Sequence, residues 1–385
     1  MSAPKPLEEN LALALAGIAF TAIASQTVQD GALGPLLATE LARRSVKPFW
    51  VGVVVGAPSL SIAMLSLLSA KLYQCIGPRF GVSFGAFLTI ACLLFYPFEQ
   101  RTFVWFLLSL IIGFAMALRW VMGETWLIHA TPKHICGKVV GMQEVGIGLA
   151  NAAGPALIAV TGSAGKTPFL ACAAIMAAAG FVALLITPSR DQGADSILGA
   201  EDAKQPASMP GSPLVIACSF ACGALETAAH GFLPTLVTGK LWDKFSPLLA
   251  ASVFNMGGIA SQIPLGMLID RIGTEKMHRK VFVLLFVVGC GLAWTLSDWI
   301  GCFFIFAAGA VIGCLYTLAV LSTASSSERF AAIMAKVVIA YTAGGVFGPV
   351  TVGGSVGLMG PSALGWMVLV GAVGLMGAST QSGRK

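Results

Sequence analysis

Charge is what this sequence has least of. Only 10% of its 385 residues are Asp, Glu, Lys or Arg, against about 25% in an ordinary soluble domain, and 57% are hydrophobic. That imbalance excludes a soluble protein with a large core. Also missing are a Ser/His/Asp set in the apolar helices, a metal-spaced His pair and a phosphate-binding loop, so the residues offer no catalytic group and no metal site. His129, Lys133 and His134 look like a basic turn. The nine cysteines form no CxxC pair. Cys218 and Cys222 stand one helical turn apart and could geometrically hold a metal, but they read as small, polarizable packing residues. A cleavable leader is not expected either. Residues Met1 to Asn10 are polar, and the apolar run after them continues without a small-residue cleavage site, as a first membrane helix does.

What is present is a series of apolar runs of roughly 20 residues, each long enough to cross a bilayer core of about 30 Å. The 45 glycines would weaken soluble helices but let membrane helices approach closely. Twelve helices are expected, over Leu11–Leu37, Phe49–Ser69, Phe80–Pro97, Phe103–Ile128, Val139–Thr161, Pro168–Thr187, Pro213–Val237, Pro247–Ile269, Val281–Ser297, Gly301–Leu321, Ala331–Gly357 and Ala363–Ala378. The one long polar segment holds Asp191, Asp195, Glu201, Asp202 and Lys204 among Gly, Pro and Ser, and reads as a flexible linker. The expected plan is a six-helix bundle over 1–187, a linker over 188–212 and a second bundle over 213–385. The class is all-α membrane protein.

Lysine and arginine set the expected orientation. They favour one side by about two to one. Lys5, Lys71, Arg79, Lys133, Lys138, Arg190, Lys204, Arg271, Lys276, Arg279, Lys280, Arg329, Lys336, Arg384 and Lys385 lie on the richer side. Arg43, Arg44, Lys47, Arg101, Lys166, Lys240 and Lys244 lie on the other. Both termini and the linker should then be cytoplasmic, in a multi-pass protein of a bacterial inner membrane. The net charge of +6 is accounted for by this asymmetry, and nucleic acid is not an expected partner.

Internal repetition points to duplication. The charged turn Gly266-Met267-Leu268-Ile269-Asp270-Arg271-Ile272-Gly273 has a worn copy, Ala70-Lys71-Leu72-Tyr73-Gln74-Cys75-Ile76-Gly77, about half the chain earlier. The pairs Gly154-Pro155 and Gly348-Pro349 are separated by almost the same interval. Asp30-Gly31 corresponds loosely to His230-Gly231, and each is followed by a proline. Helix breakers at matching places in two halves are a mark of transporters with a site at the half–half interface.

These motifs resemble the major facilitator superfamily over the whole chain. Gly266, Asp270, Arg271 and Gly273 match every fixed position of its G-x-x-x-D-R-x-G signature. The first copy keeps Gly77 and Arg79 but has Gln74 and Cys75 in place of Asp-Arg. Arg119-x-x-x-Gly123 resembles R-x-x-Q-G, with Met122 for Gln. The Gly-Pro helices resemble a motif of exporters that exchange substrate for protons; the helix of Gly154 and Pro155 lacks the flanking glycines. Glu124-Thr125-Trp126-Leu127, with Gln262-x-Pro264-x-Gly266, resembles a poorly characterised bacterial branch. The resemblance implies two pseudo-symmetric six-helix bundles. It also implies a gating latch at Gly266, Asp270, Arg271 and Gly273, with Gly154, Pro155, Gly348 and Pro349 at helix crossings that gate.

The ionisable residues within apolar runs are Asp30, Arg119, Glu124, Glu144, Glu226 and His230. Charge in a bilayer is costly, so such groups face a partner or a wet cavity. Gln26 and Asp30, Trp120 and Glu124, and Glu226 and His230 are each four apart, hence on one helix face. Arg119 and Glu124 are five apart and point about 140° from each other, so Arg119 should pair with a carboxylate on another helix. Glu144 should pair with a loop lysine, and Trp126 reads as an interfacial aromatic. His230 is expected to bond a carboxylate. The residues expected to carry proton coupling are Asp30, Arg119, Glu124, Glu226 and His230. Gln26, Gln29, Trp120, Asn255, Gln262 and Tyr316 are expected to line the substrate cavity.

The expected function is secondary transport of a small, partly apolar organic solute by alternating access, as a proton antiporter and hence exporter. The expected partners are substrate, protons and membrane lipid; the expected state is a monomer without cofactor. Proton symport of a small metabolite, and a non-transporting sensor or scaffold on the same fold, are the alternatives.

Overall fold

A computed structural model describes residues 5–66, 76–132, 134–186, 213–237, 239–296, 298–323 and 330–382. Among them the chain is helical, with no strand. The first membrane segment joins α1 (Lys5–Gln26), a π-helical segment (Thr27–Leu33) and α2 (Gly34–Arg43). There follow α3 (Pro48–Ser66), α4 (Pro78–Phe95), α5 (Thr102–Ala130), α6 (Cys136–Thr161) and α7 (Thr167–Leu185). After residues 187–212, which lie outside the described residues together with the expected linker, come α8 (Pro213–Leu236), the short α9 (Lys240–Phe245), α10 (Leu249–Ile272), α11 (Thr274–Thr295), α12 (Trp299–Thr323), α13 (Phe330–Met359) and α14 (Ala363–Ser382). Ten stretches among the described residues are long and apolar enough to cross a bilayer. The last of them, Lys336–Ser379, spans most of α13 and of α14.

A long helix stands at each position the apolar runs mark; the first runs past its expected bounds at both ends, Lys5–Arg43 against Leu11–Leu37, and three further local differences stand out. The first is the π segment. Pro35 lacks the N–H that would bond the Gly31 carbonyl, so the regular ladder cannot run through this turn. The second is α11, which begins at Thr274, two turns before the expected Val281. Its first turns are charged, and charge marks an interface as readily as a loop. Glu275 at the helix start suits the positive end of the dipole, and its carboxylate lies 3.8 Å from Arg279 one turn on. The third is α9, a short helix that no apolar run announced, anchored by buried Leu241 and Trp242, whose indole donates to the Leu296 carbonyl at 3.1 Å.

The repeat is visible in backbone geometry. Gly77 precedes α4 with φ 75° and ψ 156°, and Gly273 precedes α11 with φ 81° and ψ 156°. Both conformations belong to a region that is essentially glycine's alone. Residues 67–75, which hold most of the first motif copy, and the side chain of Asp270 lie outside the described residues. Arg79 is described: its guanidinium donates to the Leu184 carbonyl at the end of α7, a favourable place for a cation.

The helices form two bundles. In the first, α1 packs on α5, α6 and α7, and α4 packs on α5 and α7; in the second, α8 packs on α12, α13 and α14, and α11 packs on α12 and α14. Among the described residues the main pairings that join the bundles are α3 with α13, α6 with α10, and α2 with α8, with a smaller one between α3 and α8. The contacts of α2 and α3 lie in the half of the molecule far from the Gly77 and Gly273 turns, and those of α6 with α10 reach from there to mid-length. Gly34 lies against His230, Gly56 against Gly345 and Val346, and Gly148 against Ile259. The core follows the same division. One buried cluster runs through both bundles, whereas a smaller one, with Leu15, Leu65, Val82, Met122, Trp126 and Ile186, stays inside the first bundle at the turn end. The bundles are therefore sealed at the far end. Phe98, Phe103, Trp294 and Trp299 are exposed there, as in an aromatic belt.

Candidate functional site

A polar chain runs from the first segment into the centre of the first bundle. Gln26 Nε2 donates to Asp30 Oδ2 at 2.7 Å, and Gln29 Nε2 donates to Gln26 Oε1 at 2.8 Å. Arg119 Nε then donates to Gln29 Oε1 at 2.8 Å, and a second guanidinium N–H reaches the same oxygen. The other terminal nitrogen, Nη1, donates to the Gly85 carbonyl at 2.6 Å and to Thr89 Oγ1. Arg119 is 3% exposed. The i,i+4 relation of Gln26 and Asp30 is as the sequence indicates. The carboxylate partner expected for Arg119 is not: among the described residues its direct partners are all neutral. Asp30 acts on it only through space, with two amides between. The π segment is the cause, because its wider turn sets Gln29 rather than Asp30 toward α5.

Asp30 also faces the second bundle. His230 and Glu226 on α8 are within its electrostatic reach. These two residues, four apart, do not bond each other. Glu226 accepts from Tyr341 Oη on α13 at 2.9 Å, and the Cys222 sulfur lies 3.7 Å from it, its single S–H shared with the Ile312 carbonyl. His230 Nε2 pairs with Asn255 Oδ1 on α10 at 2.6 Å, so the expected carboxylate partner of His230 is replaced by an amide. Cys218 and Cys222 are buried, and Cys222 also donates to the Ile312 carbonyl at 3.4 Å.

Closer to the turn end, Trp120 Nε1 donates to Glu124, one turn along α5. Tyr316 on α12 feels Glu124 and Glu144 from the first bundle and Glu226 from its own. Its ring meets Tyr341 edge to face at 5.4 Å. Gln262 accepts from Thr317 Oγ1 at 3.1 Å. Glu144 is exposed and lies in the field of Glu124 rather than in an ion pair with a lysine among the described residues. Trp126 is 6% exposed, a core residue rather than an interfacial one, because it sits on the inner face of α5 opposite Ile128.

The Gly-Pro helices pack alike in the two bundles. Gly154 lies against the backbone of Thr27, Gly31 and Ala32, and Gly348 against the backbone of Ala224. Each is thus the close-approach point on the first long helix of its own bundle, where a side chain would not fit. Between the bundles, Asn255 Nδ2 donates to the Asn151 carbonyl at 2.8 Å and Ser252 Oγ to the Ala152 carbonyl at 2.8 Å.

Tyr341, Thr89 and Gly85 were not among the expected residues. A tyrosine and a threonine in apolar helices carry no signal until a partner is known. Glu40 was missed as well. It is 1% exposed and held by Arg43 at 2.7 Å and Arg44 at 2.9 Å. Arg44 in turn donates to the Glu99 carbonyl at 2.7 Å and stacks over Trp105. The i,i+3 and i,i+4 spacing could have identified it.

The chain is similar to known proteins along most of its length. The model of the Major Facilitator Superfamily matches residues 15–349. An uncharacterized MFS-type transporter of Bacillus subtilis (strain 168), YfkF, is 25% identical over 281 residues, 70% of this chain and 68% of that protein. A crystal structure of the nucleoside transporter NupG superposes with a TM-score of 0.75 at 14% identity, covering 97% of this chain and 98% of NupG. A point mutant of NupG gives 0.77 at 14% identity, covering 97% and 99%. At that identity the likeness is one of fold. With the family match, the two-bundle packing and the repeated glycine turns in agreement, this chain belongs to the major facilitator superfamily.

Proposed function

We propose that this transporter exports a small, partly apolar organic solute across the bacterial inner membrane in exchange for protons, by alternating access. The bundles are taken as residues 1–187 and 213–385, joined by a cytoplasmic linker over 188–212, with both termini cytoplasmic and the protein working as a monomer among membrane lipids. In that orientation the closed far end faces outward and the turn end opens to the cytoplasm, as an exporter must do to collect its load.

The observation that carries the reading is the chain Asp30–Gln26–Gln29–Arg119. A carboxylate and a buried guanidinium are held in one network without direct contact, and two amides can reorient between them. The cost of a charged Asp30 there depends on what stands opposite. Protonating it relaxes the demand on His230 and Arg119, and deprotonating it restores that demand. Proton binding at Asp30 and solute binding near Glu124, Glu226 and the Tyr316–Tyr341 ring pair can then alternate. Trp120 and the tyrosine rings supply apolar surface, and Gln262 supplies hydrogen bonds, which suits a solute with few polar groups.

The test uses purified protein in proteoliposomes, with a solute found by thermal-shift screening. An imposed pH gradient should drive accumulation of the solute against its own gradient. Equal accumulation with and without the pH gradient would reject proton coupling.

A further inference from the structure

Asn255 makes the best-defined polar link between the two bundles. Its acceptor is created by the sequence. Pro155 has no N–H, so the carbonyl four residues back, that of Asn151, loses its helical partner. An orphan carbonyl in a site of low dielectric needs a donor. Asn255 supplies one from α10 across the interface, at 2.8 Å. Ser252 Oγ donates to the next carbonyl, that of Ala152, at 2.8 Å. Asn255 is 8% exposed, and both ends of its amide are engaged, Nδ2 by the Asn151 carbonyl and Oδ1 by His230. With Nδ2 on a carbonyl, Oδ1 must accept, which makes His230 Nε2 the donor of the 2.6 Å bond. A doubly protonated His230 would still donate there, so the link does not depend on the charge of the imidazole.

We propose that Asn255 is a positioning residue for alternating access: tied down by His230, it holds the Asn151 carbonyl that Pro155 leaves free, and so latches the far end of the transporter shut. The inference rests on the alternating-access reading above. When the bundles rock apart at the far end, this carbonyl must exchange Asn255 for water. Until water enters, the unpaired group opposes opening. Pro155 thus acts on the gate through a hydrogen bond it cannot make, in addition to any effect on helix shape.

The test reads the conformational equilibrium directly, without solute or proton gradient, so a failure of proton coupling would leave its outcome unchanged. Spin labels are placed on Ala164→Cys and Asp243→Cys at the far end, or on His134→Cys and Glu275→Cys at the turn end, in full-length protein lacking accessible native cysteines. Inter-label distances are measured by double electron–electron resonance. Asn255→Ala should raise the far-end-open population about 3- to 10-fold, the worth of one hydrogen bond, while the turn end closes reciprocally. Pro155→Ala returns an N–H to the Asn151 carbonyl and should shift the equilibrium the same way. In the Pro155→Ala background, Asn255→Ala should add almost nothing, since its acceptor is already satisfied. Unchanged distances in Asn255→Ala would overturn the proposal. So would fully additive shifts in the double variant, or broadening at both ends together, which would mark Asn255 as a fold-stabilising residue only.

Discussion

Arg119 donates to Gln29 rather than to a carboxylate: its Nε lies 2.8 Å from Gln29 Oε1, and Gln29 passes the contact through Gln26 to Asp30. A buried cation is thus held by hydrogen bonds to neutral acceptors from all three of its nitrogens, with its counter-charge at one remove. Such an arrangement differs from a closed ion pair in a way that matters for transport. A direct Arg–Asp pair would be hard to break without leaving a charge stranded. A pair bridged by amides can change protonation at one end while the other keeps its hydrogen bonds.

Asp30→Asn preserves size and most hydrogen-bonding capacity but cannot take up a proton. In proteoliposomes it should abolish accumulation driven by a pH gradient while sparing solute counterflow between equal pH compartments. It should also flatten the pH profile of transport. Retention of gradient-driven accumulation would move the proton site to Glu124 or Glu226.

Gln29→Ala removes the acceptor of two guanidinium N–H groups. Leaving a buried charged donor unsatisfied costs about 1–3 kcal/mol, so thermal unfolding in detergent should shift down measurably. Gln29→Glu should do the reverse. It closes a direct ion pair with Arg119, and the expected result is a protein at least as stable that transports more slowly. Faster transport in Gln29→Glu would contradict the argument for bridging amides.

Tyr341→Phe deletes the 2.9 Å hydrogen bond to Glu226 but keeps the ring that meets Tyr316. The loss of one bond to a charged group is worth about 1.5–3 kcal/mol when the acceptor stays buried. Because the ring remains, apolar contact with a solute is kept. The expected signature is a changed KM for transport with the solute still bound in the thermal-shift assay. An unchanged KM would place Glu226 outside the solute path.

Gly273→Ala puts a side chain on a backbone at φ 81° and ψ 156°, a conformation that costs about 1–3 kcal/mol outside glycine. No neighbour obstructs the new methyl group, so the loss of stability measures backbone strain alone. Gly77→Ala should cost a similar amount, since its geometry is the same. Asp270→Asn, by contrast, should slow transport without lowering the melting temperature if the Asp270-Arg271 turn acts as a latch. Wild-type transport rates in Asp270→Asn would reduce the turn to an anchor.

Much of the architecture was legible because its signals are local. Apolar length places the helices, Gly77 and Gly273 place the two repeated turns, and four-residue spacing correctly pairs Gln26 with Asp30 and Trp120 with Glu124. The misreadings share one cause. Charged residues at 274–280 look like a loop when hydropathy alone is weighed, yet they continue α11 beyond the apolar zone. Trp126 looks interfacial from its distance to a helix end, yet the face it occupies turns it into the core. His230 and Glu226 share a face, yet each finds a better-placed partner on α10 or α13.

The sequence by itself determined the membrane class, the duplication and the presence of buried charge, because chain length, composition and glycine geometry act within a few residues of one another. Only the tertiary structure decided who pairs with whom. The partners of Arg119, Glu226, His230 and the Asn151 carbonyl come from helices far along the chain, and their choice depends on a π turn at Thr27–Leu33 and on which end of the bundles is closed. Those are properties of helix rotation and crossing, set by close packing at Gly31, Gly154 and Gly348, and a periodic pattern along one helix carries no information about the rotation of its neighbour.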